Sequence, residues 1–306
     1  MAYRIRRRES VALAIRRIAK EQIDQALDEI ADERLDRQEA VHQVRKRCKK
    51  IRGLLRLVRP QMSDHYELEN AFFRDAAGAL SRVRDAEVMA AACDKLFDHF
   101  ADQIDRAALA PIRETLDSRR RTVAQREHDL PARLAEFASQ MREARQRTAS
   151  WTLDAKGFSA IEGGLKKTYR RGRKAMAAAY RDGSPEAFHQ WRKRAKYHWY
   201  HTRLLHNLWK PVLACRCELL KELSDLLGDD HDLAVLRSLL AGRPDDFGEK
   251  HDVESLIALI DRRRAELEEE AQPIGDLLYA EKPKRLAKRL RRRWKGWREK
   301  KSAAEA

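Results

Sequence analysis

Apolar residues recur at spacings of three and four along almost the whole chain. Two segments show the spacing well: Val11, Ile15, Ile18, Ile23, Leu27 and Ile30 in the first, and Leu256, Leu259, Ile260 and Leu267 in the second. This period places apolar side chains on one face of an α-helix, whereas strand-like alternation is absent. The pattern therefore predicts an all-α protein with about ten or more helices.

Prolines and glycines mark where these helices are expected to end. Proline removes a backbone donor from a helix interior, and glycine favours turns. We expect boundaries at Pro60, Pro111, Pro131, Asp182 to Pro185, Pro211, Gly242 to Pro244 and Pro273. Between Arg142 and Asp154 the apolar pattern weakens around Thr148, Ala149 and Ser150, which predicts a connector rather than a flexible linker.

The chain contains an internal repeat. The stretch from Glu39 to Lys49 recurs 147 residues later, from Glu186 to Lys196. The same offset relates Arg56 to Arg203, Leu80 to Leu227, and the run Asp85 to Val88 to the run Asp232 to Val235. We predict one domain made of two repeats, residues 1–148 and 149–306. Each is expected to be an up-and-down bundle of about four helices, related to the other by a pseudo-two-fold axis.

The net charge of the chain limits the classes of molecule that it is expected to bind. It has 65 Lys and Arg against 49 Asp and Glu, a net charge of +16 and a pI near 9.8. Such a chain is expected to bind polyanions, and nucleic acid, anionic membrane and inorganic polyphosphate all qualify. No apolar run fits a signal peptide or spans a bilayer, so we predict a cytoplasmic protein with no membrane partner. The oligomeric state stays open.

The four cysteines predict neither disulfides nor a metal. They are too few to cross-link a chain of this length, and Cys48 falls on an apolar helix face. Cys215 and Cys217 have the wrong spacing for a helical metal pair, and no second ligand cluster follows. We therefore expect reduced thiols, no metal site and no cofactor.

Each copy of the repeat carries cationic side chains on one face of a helix, within roughly a 100° arc. The first set is His42, Arg45, Lys46, Lys49 and Arg56, opposite apolar Val41, Val44, Cys48, Ile51, Leu55 and Val58. The second set is His189, Arg192, Lys193, Lys196 and Arg203, opposite Phe188, Trp191, Ala195 and Leu205.

Two features favour an anion site over an ordinary solvated face. A solvent-exposed helix face usually carries both positive and negative side chains. The segment from Val41 to Arg59, in contrast, has no carboxylate. The cationic positions also match between the copies while the apolar ones vary. Lys50 extends the first cluster, but its counterpart is Tyr197, and Arg52 corresponds to Trp199, so the two halves differ at their edges.

Further basic clusters extend the predicted site, although solvated faces explain them about equally well. One lies before the second basic helix and includes Arg170 and Arg173. The other lies near the C-terminus and includes Lys284, Arg285 and Lys288.

The histidines and aspartates of the repeat could have structural roles instead of roles in ligand binding or catalysis. His42 and His189 can donate to phosphate oxygens, or they can be neutral residues that hold a helix against its neighbour. Asp85 and Asp232 are expected to cap a helix or pair with arginine rather than to catalyse. The counterpart of His231 in the first copy is Arg84. A metal-binding pair formed by His231 and Asp232 would therefore have no equivalent in that copy. His198 and His201 are expected to fill the bundle interior.

The chain resembles the CHAD family, the conserved-histidine α-helical domain. The resemblance rests on His42-x-x-Arg45-Lys46-x-x-Lys49 and its repeat from His189 to Lys196, and on Arg84-Asp85. It also rests on the run from Tyr169 to Arg173 and on the run from Tyr279 to Pro283. The family resemblance implies two four-helix bundles around a basic central cavity that holds inorganic polyphosphate, and an association with polyphosphate granules.

The expected function is therefore polyphosphate binding without catalysis. Many family members are fused to a CYTH domain, whose strands carry alternating acidic residues, and no such segment is present here. The first alternative is a nucleic-acid-binding helical protein, although no helix-turn-helix, RNA-recognition or zinc-finger pattern is present. The second is a polyphosphate-processing enzyme, although the sequence shows no glycine-rich phosphate loop, no paired carboxylates on one helix face and no metal-ligand cluster.

Overall fold

Eleven α-helices, joined by short turns, make up the described part of the chain, and no strand occurs there. The structure is a computed structural model that describes residues 3–63, 65–80, 82–126 and 129–299, except for the side chains of 82–87 and 123–126. The prediction of an all-α protein is confirmed. The helices are α1 (Val11–Ala31), α2 (Arg37–Val58), α3 (His65–Ala79), α4 (Arg82–His99), α5 (Arg106–Arg126), α6 (Leu130–Arg147), α7 (Ser159–Asp182), α8 (Pro185–Leu204), α9 (Lys210–Gly242), α10 (Lys250–Tyr279) and α11 (Pro283–Glu299).

Both basic helices, α2 and α8, begin at a side-chain cap. The Asp36 carboxylate accepts hydrogen bonds from the backbone N–H groups of Gln38 and Glu39. The Ser184 hydroxyl accepts one from the N–H of Ala187, and Pro185 takes the first helical position. These caps satisfy donors that a helix leaves unpaired at its N-terminus, so the sequence fixes where each helix starts.

The prolines mark most of the predicted boundaries but not all of them. Pro60 follows α2, and Pro131 and Pro211 lie in the first turns of α6 and α9. The predictions at Pro111 and Pro273 are wrong, because these residues lie inside α5 and α10. A proline costs a helix one hydrogen bond, and tertiary packing of both helices outweighs that local preference.

The order of helices follows the internal repeat. Shifted by 147 residues, the bounds of α2 become 184–205, and α8 occupies Pro185–Leu204. The same shift places α1 on α7, α5 on α10 and α6 on α11. The chief difference is that α3 and α4 correspond to the single 33-residue helix α9. The pseudo-two-fold axis stays a prediction.

Two hydrophobic clusters fill the interior of the described chain, and both repeats contribute to each. The larger contains buried residues of α1, α2, α3 and α6 together with residues of α7, α8 and α11. The smaller joins α4 and α5 of the first repeat to the C-terminal half of α9 and to α10. The two repeats therefore share their cores.

The segment predicted to connect the two repeats is anchored to the rest of the chain. After α6 the chain makes a short 3₁₀ turn at Thr148–Ser150. Trp151 is then buried and donates its indole N–H to Glu69, and the N–H of Asp154 donates to the carbonyl of Gln61. These contacts explain why the segment is ordered without helical periodicity.

The cysteines are all free, and Cys48, Cys93 and Cys217 are buried. Burial raises the pKa of the Cys48 thiol to about 12, so this side chain acts as a small hydrophobic residue. Among the helices described, none has an apolar stretch suited to crossing a membrane.

Candidate functional site

The two basic helices cross where a glycine permits close contact. A Cβ atom at Gly53 of α2 would lie 2.8 Å from the Tyr200 side chain of α8. Beside this contact, Nε2 of the fully buried His201 lies 3.1 Å from the Gly53 carbonyl oxygen, to which it donates a hydrogen bond. Burial lowers the pKa of His201 to about 3, so its ring is neutral. The crossing fixes the spacing of the cationic faces.

A cavity of about 450 Å³ lies between α2 and α8. None of the residues that line it is a carboxylate, and seven of the ten are lysine or arginine. The lining consists of Lys49, Arg52, Arg56, His189, Arg192, Lys193, Arg194, Lys196, Tyr197 and Tyr200. We refer to it as the basic cavity.

The basic cavity collects six of the residues that the sequence predicts as a site. They come from both repeats: Lys49, Arg56, His189, Arg192, Lys193 and Lys196. The apolar faces predicted behind them are buried, as for Val44 and Ile51 in α2 and Phe188 and Trp191 in α8. The division of each helix into a core face and a cationic face is thus confirmed.

Five other predicted residues of the basic helices lie outside the cavity lining. Arg45 donates to the carbonyl of Ala77 in α3. Lys50 is buried, and its backbone carbonyl accepts a hydrogen bond from Tyr3. Three further residues are not part of the lining either, namely His42 and the exposed Lys46 in α2, and Arg203 at the end of α8, whose guanidinium lies over Trp199.

The predicted cations of α7 and α11 are also outside the lining. Arg170 and Arg173 are exposed on α7, and different residues of that helix approach the basic cavity. The positive charges of Arg59 and Arg171 lower the pKa of Lys167. Burial, followed by the same two charges, lowers the pKa of Arg194, which lines the cavity. Lys284, Arg285 and Lys288 are exposed on α11, which packs against α7 and the 3₁₀ turn at His206–Leu208.

Four residues of the lining were not among the predicted site residues. Arg52 projects about 20° beyond Arg45, at the edge of the cationic arc of α2, so its charge and position pointed to the site. Tyr200 projects within the cationic arc of α8 and Tyr197 about 40° beyond it, but tyrosines give no charge signal. Arg194 lies outside the arc and enters the lining only through the packing of α8 against its neighbours.

Positive charges lie close together in the basic cavity and shift the pKa values of its lysines. Lys49 keeps an exposed surface, but the neighbouring helices remove water from part of its side chain. This desolvation and the nearby charges of Arg45, Arg192 and Lys196 lower the pKa of Lys49 to about 8. Burial also lowers the pKa of Lys196, against the opposing effect of Asp225 at 3.7 Å. Like charges held together in a partly desolvated site favour loss of protons, and an anion reverses that preference.

His189 serves both the cavity and the packing. Its ring stacks on that of His231 in α9, with centroids 3.9 Å apart. Burial, followed by neighbouring positive charge, lowers the pKa of each histidine to about 4. Both predicted roles of His189 thus have a geometric basis in this structure. His198 and His201 are buried, as predicted.

The acidic positions of the repeat do not join the basic cavity. Asp232 lines a separate hollow between α4, α9 and α10, and Asp85 and Arg84 lie outside the described side chains. Across the described residues, no group of three His, Cys, Asp or Glu side chains is placed to hold a metal ion. The cavity offers guanidinium, ammonium and phenol donors, which suit an extended anion.

Comparison with known proteins places this geometry in context. A family model described as "CHAD domain" matches residues 17–241. The crystal structure of the CHAD domain from the plant Ricinus communis matches with a TM-score of 0.62 and 16% identity. That match covers 90% of this chain and 94% of the plant domain. No curated protein matches the chain. The plant structure shows that the fold is shared.

Proposed function

Because this chain belongs to the CHAD domain family, we propose that it binds inorganic polyphosphate in the basic cavity. One observation carries the proposal. Two helices from different repeats meet at a cavity of about 450 Å³ lined by seven cations and no carboxylate. A linear polymer that bears a negative charge on each unit gains charge-assisted hydrogen bonds there and releases bound counterions.

The cavity also suits a polymer better than a single phosphate group. Cations continue beyond the lining to Arg59, Lys167 and Arg171. The charges of Arg59 and Arg171 lower the pKa of Lys167 and add to the effect of burial on the pKa of Arg194. The chain of an extended anion can thus leave the cavity over α7 and remain in contact with positive charge. A compact anion would leave most of these groups unpaired.

The aromatic side chains of the site support phosphate binding over nucleic-acid binding. One face of the Tyr197 ring is covered by the guanidinium of Arg56, and Trp199 is approached by Lys196 at 5.0 Å and Arg203 at 4.9 Å. Tyr200 is buried. Stacking of bases needs accessible aromatic faces, and these contacts cover part of the ring surface that Tyr197 and Trp199 could offer.

We propose that the protein binds polyphosphate and does not catalyse a reaction on it. The cavity lining contains no carboxylate to act as a base or to hold magnesium near a phosphate. His189, the lining residue whose ring could transfer protons, has a pKa of about 4. Localisation at polyphosphate granules in the cytoplasm follows as part of the same proposal.

A competition experiment tests the proposal. Labelled long-chain polyphosphate is bound to the protein at physiological salt and competed with unlabelled polyphosphate or single-stranded DNA, with orthophosphate release measured in the same sample. We expect polyphosphate to compete far better than DNA, no release of orthophosphate, and no loss of binding with chelator. Stronger competition by DNA would favour the nucleic-acid function. Orthophosphate release by the pure protein would favour an enzyme.

A further inference from the structure

Helix α11 carries a second cationic surface that is separate from the basic cavity. Five exposed side chains project from it within about 100° of one another on a helix of 3.6 residues per turn. We name them the outer stripe: Lys284, Arg285, Lys288, Arg292 and Lys295. In the described ranges, no carboxylate lies within ion-pairing distance of any of the five.

The other arginines of α11 have partners, which makes the outer stripe distinct. Arg289 pairs with Glu281, and Arg291 pairs with Glu162 of α7. Arg293 lies over the ring of Trp209, 4.1 Å from its centroid. Arg298 donates to backbone carbonyls of the N-terminal segment. These four arginines are thus neutralised or covered, and from Lys284 to Lys295 the outer face of the helix carries only positive charge.

The outer stripe points away from the body of the protein. The buried side of α11 is formed by Leu286, Ala287, Leu290 and Trp294. These residues fall on the opposite side of the helix from the stripe, because their positions are centred roughly half a turn away. The stripe runs from Lys284 to Lys295, about 16 Å along the helix at 1.5 Å per residue.

Helix α7 separates the outer stripe from the basic cavity. On one side α7 meets α2, where a Cβ atom at Gly164 would lie 2.1 Å from the Leu57 carbonyl oxygen. On the other side it meets α11 and the turn before it, through Glu162 and through the Tyr169 hydroxyl, which donates to the Glu281 carbonyl at 3.0 Å. No residue of α11 lines the basic cavity.

We propose that the outer stripe is a second polyanion-binding surface, and that the protein holds two polyphosphate chains at once. One chain occupies the basic cavity and the other lies along α11. Like charges spaced three and four apart on a helix repel one another, and a bound polyanion removes that repulsion while it releases counterions. Because the two surfaces lie on different sides of α7, the protein links chains. This inference rests on the proposed function for the first of the two sites.

A sandwich assay tests the inference. Polyphosphate is immobilised sparsely on a surface, the protein is captured on it, unbound protein is washed away, and fluorescent polyphosphate is then added. We expect the captured wild-type protein to recruit the fluorescent chain. If the wild-type protein is not captured, the proposed function is wrong. If it is captured but recruits no second chain, the proposed function stands and the inference of two sites is wrong.

Two variants test whether the outer stripe is the surface that holds the second polyphosphate chain. The stripe variant replaces all five lysines and arginines of the outer stripe by glutamine. A charge-matched control replaces five exposed arginines on other helices and turns by glutamine: Arg37, Arg121, Arg142, Arg181 and Arg243. We expect both to be captured, because the cavity is intact, and circular dichroism with thermal unfolding checks that each variant folds. The stripe variant should recruit at least tenfold less fluorescent chain than the control.

Equal recruitment by the two variants would overturn the proposal, because the second chain would then be held elsewhere or by self-association of the protein. Equal loss in both would also overturn it, since total charge rather than the stripe would then govern recruitment.

Discussion

The guanidinium carbon of Arg56 lies 3.9 Å from the centroid of the Tyr197 ring, so a cation of α2 rests on an aromatic ring of α8. Burial lowers the pKa of Arg56, because the charged guanidinium loses part of its water. The contact with the Tyr197 ring offsets part of that cost of desolvation. The two residues are not counterparts in the repeat, since the offset pairs Arg56 with Arg203 and Lys50 with Tyr197. The basic cavity is thus built asymmetrically from matching helices.

Charge reversal within the basic cavity should abolish tight binding. We expect the double substitution Arg192→Glu and Lys193→Glu to weaken polyphosphate affinity by more than about 100-fold, because two charge-assisted contacts are each worth about 1.5–3 kcal/mol. Titration calorimetry at fixed salt measures the effect. The slope of log affinity against log salt should also become shallower by about 1.4, at about 0.7 per cation for a single-stranded polyanion.

The matched control for this experiment is Arg142→Glu with Arg181→Glu, two exposed arginines outside the cavity. Arg119 and Arg120 are poorer controls, since they pair with Asp246 and Asp117. Equal losses from the cavity variant and the control would mean that net charge alone determines affinity.

Binding should weaken as pH rises through the pKa of Lys49. That pKa is about 8 in the free protein, and a bound polyanion raises it, so binding takes up a proton above pH 8. Affinity is therefore fully present below pH 8 and falls above it, by about tenfold between pH 7 and 9 from this one group. Lys196, whose pKa is also lowered, adds to the same trend.

The variant Lys49→Arg separates this effect from general changes in charge. Arginine keeps its charge across this range, so the variant should show a flatter pH profile with similar affinity at pH 7. An unchanged profile in Lys49→Arg would show that Lys49 does not sense the ligand.

Affinity should rise steeply with polyphosphate length and then level off. A chain long enough to touch both α2 and α8 makes its second contact within the same complex, which raises affinity without a new binding site. Dissociation constants for a graded series of chain lengths measure this. Neutralising Lys49, Arg52 and Arg56 together should flatten the curve and leave residual binding through α8.

A constant affinity per phosphate across the series would contradict a shared cavity. So would a triple variant of α2 that binds every length as the wild type does.

The close packing of α7 on α2 should tolerate no side chain at Gly164. A Cβ atom there would lie 2.1 Å from the Leu57 carbonyl oxygen and 2.4 Å from that of Arg56. Since backbone atoms cannot rotate away, Gly164→Ala should lower the free energy of unfolding by about 3 kcal/mol or more. Denaturant unfolding measures the change.

Gly296→Ala in α11 is the control, because a Cβ atom there meets nothing within 4 Å. It should raise stability by up to about 1 kcal/mol through helix propensity. Similar destabilisation by both substitutions would show that the Gly164 contact is not the cause.

Much of this fold was predictable from residue pattern. Spacing of Val11, Ile15 and Ile18 gives the buried face of α1, and the recurrence of the segment from Glu39 to Lys49 gives the order of helices. These features are local or repeat along the chain, so they are visible without coordinates.

The composition of the cavity was only partly predictable. Helical projection assigns Arg45 and Lys49 to one face, yet Arg45 bonds to α3 while Lys49 enters the cavity. That difference depends on where α2 crosses α8, which Gly53 and His201 decide through contacts distant in sequence. The continuation of α5 through Pro111 likewise depends on tertiary packing.

The sharing of both hydrophobic clusters between the repeats bears on the origin of the chain. Each cluster contains matching helices from the two halves, so a single half would expose one side of both. A free half is therefore expected to exist only as a pair of identical chains that exchange their helices, in the manner of a domain-swapped dimer. Gene duplication followed by fusion would convert such a dimer into one polypeptide, whose two copies could then differ at matching positions, as Lys50 and Tyr197 do.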